Sequence, residues 1–183
     1  MLISKFKKDE DVVNIHDLQE LIGLKLPSDY AVFLQKYNGG DTPETNWTGK
    51  GKSDIVAFYG FRIDNESFDI EKNMSFVFFQ ELIEKNKLPI AENCSGDYFC
   101  LDCTDGSVWF VYHDLPKKQK VAKNFIKFLD GCKSKEIGHI RTIEERTKAL
   151  YENYKETPSE KRLKGWQEEI DYYSKIKQEE VIL

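Results

Sequence analysis

Between residues 26 and 40 the apolar positions fall at helical spacing: Tyr30, Phe33, Leu34 and Tyr37 form one stripe between polar neighbours. Pro27 suits a first helical position, where its fixed φ is preorganised and its missing N–H costs nothing. Asn38, Gly39 and Gly40 follow, residues that tolerate the left-handed conformation of a helix C-cap. A helix over residues 27–37 is therefore predicted. Upstream, Ile15, Leu18, Leu21 and Ile22 make a shorter stripe, opened by Asn14 as N-cap with Asp17 in the first turn, and closed by Gly23. Residues 41–53, rich in Thr, Gly, Asn and Pro, read as a loop. The β-branched and aromatic run 55–61 reads as a buried strand. Residues 64–72 read as a second polar loop and residues 75–87 as a helix, after which Leu88, Pro89 and Ile90 return the chain to an extended path.

Two apolar runs, 98–103 and 107–113, flank Thr104, Asp105 and Gly106, and the Asp-Gly pair predicts an antiparallel hairpin. Residues 121–129 read as a short helix that buries Phe125, Ile126, Phe128 and Leu129, with Gly131 closing it. Beyond Cys132 the pattern changes. Ile140, Ile143, Thr147, Leu150 and Tyr154 are spaced three and four apart, and Leu163, Trp166, Ile170 and Tyr173 continue the pattern on a second helix. Thr157 to Glu160 reads as a capping box with Pro158 in the first turn. The expectation is an α+β fold: a small antiparallel sheet packed with several helices, plus a C-terminal helical hairpin. The domain boundaries expected are 1–132 and 133–183. Neither late stripe is long enough to specify a coiled coil or an oligomeric state.

Composition narrows the class. The 183 residues carry a net charge of −5, and up to Cys132 there are 16 Lys and Arg against 21 Asp and Glu; beyond it the counts are 11 and 11. The acidity belongs to the N-terminal part, which argues against nucleic acid as the main partner and reads as ordinary solubility ahead of recognition of a basic protein surface. No apolar run has the length of a membrane span, and the first ten residues hold no signal-peptide core, so a cytoplasmic chain without membrane contact is expected.

Candidate chemistry is sparse. Cys100 and Cys103 form a C-x-x-C, but residues three apart on a strand project to opposite faces, so Cys94, Cys100, Cys103 and Cys132 read as structural thiols and no metal site is expected. His113 and Asp114 adjoin on a predicted strand and read as facing opposite ways. His16 and His139 have no nucleophile at motif spacing, and no catalytic residue or cofactor is expected. The carboxylates Asp64, Glu66, Asp69 and Glu71 share one loop, and Glu92, Asp97, Asp102 and Asp105 surround the hairpin. Trp47 lies in the first polar loop, where an aromatic serves no stripe and reads equally as an interface anchor or as a cover for the core edge.

Several runs occur in a telling order. Leu18 to Gly23 precede Leu26, Pro27, Tyr30, Phe33, Leu34, Tyr37, Asn38, Gly39 and Gly40. Phe58, Tyr59, Gly60 and Phe61 come next, then Leu88 to Asn93, Gly96 and Asp97, and Tyr98 to Asp102. Gly106, Val108, Trp109, Phe110, His113 and Asp114 complete the series. Across residues 12–132 this order resembles the SUKH superfamily, small α+β domains that include bacterial toxin-immunity proteins and fungal regulators of cell-wall synthesis. The resemblance implies a non-enzymatic binding protein whose partner is a protein, in the immunity case a cognate toxin domain blocked by occlusion. The contact residues expected on that reading are Trp47, Asp64, Glu66, Asp69, Glu71 and Asp97. The alternatives are a regulatory scaffold that docks through the C-terminal hairpin, or a carboxylate-dependent hydrolase.

Overall fold

A computed structural model describes residues 1–6 and 12–183. The chain opens with β1 (Leu2–Ile3) and α1 (Ile15–Ile22), which Asn14 caps by accepting from the His16 and Asp17 N–H groups and which ends at Gly23 in the left-handed region. Next come α2 (Ser28–Tyr37), β2 (Gly40–Trp47) and β3 (Ser53–Phe58). A 3-10 turn (Glu66–Phe68), α3 (Ile70–Asn73), α4 (Val77–Glu84) and β4 (Lys87–Glu92) follow. The hairpin of β5 (Tyr98–Asp102) and β6 (Val108–Val111) leads to β7 (Lys118–Ala122), α5 (Phe125–Gly131) and β8 (Cys132–Lys133). The chain closes with α6 (Ile143–Tyr154), α7 (Glu160–Ser174) and β9 (Glu179–Glu180).

Among the described residues the main sheet runs β7-β6-β5-β4-β3-β2-β8, antiparallel throughout. The α+β expectation holds. One sheet face meets α2 and α5 through aromatic rings: Phe33 stands 5.3 Å from Phe58 and 5.2 Å from Phe125, and Phe99 stands 4.9 Å from Phe128. The stripe predicted from Tyr30 to Tyr37 is thus the helical half of the core, with all four residues buried. On the opposite face Leu82 of α4 covers Cys100 and Val111, with Phe78, Tyr98 and Trp109 at the margin.

Several predicted boundaries move, each for a physical reason. Pro27 is the N-cap of α2, at φ −55° and ψ 141°, rather than its first helical residue. The loop expected over residues 41–53 contains β2. That strand is polar and bulged, with its register shifting between Asp41 and Thr45, so no alternation survives in the sequence. Its backbone pairs with β3 on one side and β8 on the other. The loop expected over residues 64–72 contains the 3-10 turn and α3. Residues 118–122 form strand β7, which delays the following helix to Phe125. The cap of α7 is Ser159, which accepts from the Arg162 N–H, and the capping box belongs instead to Thr142 and Glu145 of α6.

The chain divides into two compact units. The first comprises Met1–Lys135 together with Gln178–Leu183, and the second Glu136–Lys177. The last six residues, expected as part of the extension, lie with the first unit. There β9 pairs with β1, and the Tyr37 hydroxyl accepts from the Ile182 N–H at 2.8 Å while facing the Glu180 and Ile182 carbonyls at 3.3 Å. In the second unit the Arg146 guanidinium forks onto the Glu169 carboxylate at 2.9 and 3.1 Å, joining α6 to α7. Neither of these helices buries a residue fully.

Candidate interaction surface

The acidic run 64–71 separates into residues that build the loop and residues that face outward. Asp69 is 2% exposed. Its carboxylate accepts from the Ile63 N–H at 2.6 Å and, as the cap of α3, from the Lys72 N–H at 3.0 Å. Asn73 donates from its amide to the carbonyls of Glu66, Ser67 and Asp69. These bonds fix the loop from inside and leave Asp64 and Glu66 exposed and Glu71 half-buried. Arg62 lies among them at φ +54°. Its guanidinium donates to Glu71 at 3.2 and 3.4 Å and reaches Asp17 of α1 at 3.3 Å. The hydrogen bond to Glu71 leads in raising the Arg62 pKa, so the cation persists. The result is an acidic corner around one arginine. Asp17 belongs to it, and sequence reasoning had placed that residue only as a helix-start acid.

Trp47 is not on this corner. It is 5% exposed, its ring lies 5.4 Å from Phe128, and its indole N–H donates to the Lys50 carbonyl at 3.0 Å. A Cβ on Gly131 would fall inside the indole, so that glycine is required by the ring's position. This burial favours the core-edge reading of Trp47, since β2 carries the residue into the sheet between β3 and β8.

Asp97, also named from sequence as a contact, is 7% exposed and belongs to a turn. Asn93 holds that turn, its side-chain oxygen accepting from the Ser95 and Asp97 N–H groups at 3.0 and 2.8 Å. The Asp97 carboxylate accepts from the Asn93 amide at 3.2 Å, from the His113 N–H at 3.1 Å, and pairs with His113 Nδ1 at 2.9 Å. Burial by itself pushes the Asp97 carboxyl up, yet these bonds outweigh it and hold it below the ordinary range. His113 and Asp114 lie beyond the end of β6 at Val111, so the strand rule that would point them apart does not apply. The register of β5 on β6, with Tyr98 opposite Val111, is what brings Asp97 beside His113.

The cysteines are free. Cys94 is exposed, Cys100 and Cys132 are buried, and Cys103 is half-buried. Burial pushes the Cys132 thiol up to about 12 and the Cys103 thiol to about 11, which keeps both protonated and poorly nucleophilic at neutral pH.

The outer sheet face carries a second charged group that the sequence reading did not single out. Lys87 is opposite Asp102 in the β4–β5 pairing, and their side chains, 8% and 17% exposed, meet at 2.6 Å. Lys87, Lys118 and Lys120 all stand over the Trp109 ring, at 4.7, 5.8 and 6.0 Å. The signal in the sequence was the alternation Lys118, Gln119, Lys120, which reads as a strand with one basic face once β7 is recognised. Burial raises the Asp102 carboxyl, but the Lys87 hydrogen bond and the Thr104 N–H more than offset it, and its pKa is lowered. A depressed folded pKa means that the pair stabilises the fold fully above the unfolded Asp value of about 3.9, and that this contribution is lost as pH falls through the folded value. Asp102→Asn is expected to cost about 3 kcal/mol at neutral pH, since it leaves Lys87 buried without its partner. Thermal unfolding of both proteins as a function of pH checks this. The gap between them closes below about pH 4, whereas a constant gap would mean the carboxylate charge is immaterial.

Residues 11–131 match the SMI1/KNR4 family (SUKH-1). The chain belongs to this family. The SPbeta prophage-derived uncharacterized protein YokK of Bacillus subtilis (strain 168) is 29% identical over 139 residues, spanning 63% of this chain and 70% of its own length. Within the SUKH-1 segment, the runs that carried the resemblance meet in space. Asn38, left-handed at φ 48°, donates from its side-chain amide to the Phe61 carbonyl at 2.9 Å and accepts from the Phe61 N–H at 2.7 Å. Gly60 packs so closely under the Asn38 carbonyl that no Cβ fits between them. The Asn-Gly-Gly cap and the Phe-Tyr-Gly-Phe run therefore form one clasp, which fixes the chain just ahead of Arg62 and so sets the acidic corner.

Proposed function

We propose that this SUKH-1 chain is a non-enzymatic binding protein that neutralises a cognate toxin domain by direct contact. Family membership across residues 11–131 is the observation that carries the reading. The acidic corner supports its location on the surface: Asp64 and Glu66 are exposed, Glu71 and Asp17 flank Arg62, and the loop beneath is held rigid by Asp69 and Asn73. A rigid acidic surface loses little conformational entropy on binding and steers a basic partner towards it. The mechanism in this reading is occlusion, with the chain covering the toxin's active site or its approach for substrate. Trp47 takes no part, and Asp69 and Asp97 act only by shaping the loops.

The test is growth rescue. Co-expression of the full chain with a candidate cognate toxin domain, sought in the adjacent reading frames, is expected to restore growth, and the Asp64→Lys, Glu66→Lys double variant is expected to rescue less well. A chain that is folded and abundant yet gives no rescue would remove the immunity reading. A regulatory or scaffolding role is the second reading. It is favoured by the separate helical unit and its exposed Tyr151, Tyr154, Tyr172 and Tyr173, residues suited to contact another protein at low entropic cost.

A further inference from the structure

We propose that Asp97, His113 and Asp114 form a binding site for a divalent transition-metal ion of the zinc class at the end of the β5–β6 hairpin. One donor atom from each of the three lies within 4.8 Å of the others. Zinc bonds of about 2.0 to 2.2 Å in tetrahedral geometry require ligand atoms roughly 3.3 Å apart. His113 Nδ1 and Asp97 Oδ1 are already 2.9 Å apart. Asp114 is exposed, so its side chain can turn the remaining short distance towards that pair.

The buried member is preorganised. Asp97 is fixed at its backbone by the Asn93 turn, and its two oxygens accept from different donors, Oδ1 from the His113 N–H and Oδ2 from the Asn93 amide. Oδ2 keeps a further lone pair, and the Oδ1 lone pair that faces His113 Nδ1 becomes available once the ion displaces the proton there. An ion that takes His113 Nδ1 displaces the proton there, which passes to Nε2 in the neutral ring or to solvent from the imidazolium, and leaves both of these bonds in place. Such outer contacts around a ligating carboxylate orient it and tune its metal affinity. Glu92 adds to the field that favours a cation here: its carboxylate accepts from the Tyr59 hydroxyl, and its charge acts on His113. One imidazole with two carboxylates, leaving a fourth position open, suits zinc better than calcium or magnesium, which take all-oxygen sets. The ion would tie the start of β5 to the turn after β6, two segments otherwise joined here through Asp97 and His113.

The experiment is calorimetric titration of the full, chelator-treated chain with zinc chloride, alongside its thermal unfolding. One saturable ion per chain is expected, together with a rise in melting temperature that EDTA reverses. His113→Ala and Asp114→Asn, both at exposed positions, are expected to stay folded by circular dichroism and to bind at least about tenfold more weakly. His139→Ala, which removes a histidine paired with Glu145 outside the β5–β6 hairpin, is expected to bind as the parent does. No saturable binding up to about 1 mM zinc would overturn the proposal. So would binding that survives His113→Ala and Asp114→Asn unchanged, or that is lost in His139→Ala.

Discussion

Asn38→Ala is expected to lower the stability of the first unit by about 3 kcal/mol, read as a fall in the urea midpoint with an unchanged slope. The residue does three things at once. It ends α2 in a left-handed conformation, and its side chain both donates to and accepts from the backbone of Phe61. Alanine strains the first of these and leaves a buried N–H and a buried C=O unpaired, each costing about 1 to 3 kcal/mol. Asn38→Asp keeps the acceptor and loses the donor, so its midpoint is expected between the other two. An alanine variant as stable as the parent would show that the clasp does not hold the two motif runs together.

Trp47→Ala is expected to cost about 4 kcal/mol, in the range of buried aromatic truncations. The indole fills the space between Gly131 and Phe128, and its N–H is paired with Lys50. The expected signature is a large loss in chemical denaturation with partner affinity of the folded protein preserved. An interface anchor would give the opposite: near-native stability and a large loss of binding. The two measurements on one variant therefore decide between the readings that the sequence left level.

How legible the fold was depended on how regular each segment is. The Tyr30 to Tyr37 stripe and the Asp105 and Gly106 turn follow strict local rules, and both elements stand where those rules put them. The strand β2 was hidden because its bulge breaks the period of two and its residues are polar, so only its two neighbours reveal it. The strand β7 was hidden because an edge strand carrying Lys118 and Lys120 has a basic face where a hydrophobic one is sought. The candidate surface was half legible. Asp64 and Glu66 are exposed, as solvated carboxylates are, but Glu71 lies in α3 and Asp69, of the same appearance in the sequence, turns inward as a cap. Asp17 and Arg62 are 45 positions apart, and nothing local in either segment says that they meet. The meeting of Asp97 with His113 likewise needs the β5–β6 register, which a motif search does not supply.

If the proposed immunity role is right, the acidic corner binds a basic toxin surface, and the affinity of the purified full chain for a candidate cognate toxin domain measures that contact most directly. The expected result is a saturable one-to-one complex whose association slows with added salt. Asp64→Lys with Glu66→Lys should weaken it about tenfold while the fold is retained. A well-folded chain that does not bind the toxin domain, or that binds it equally well with both charges reversed, would contradict the account.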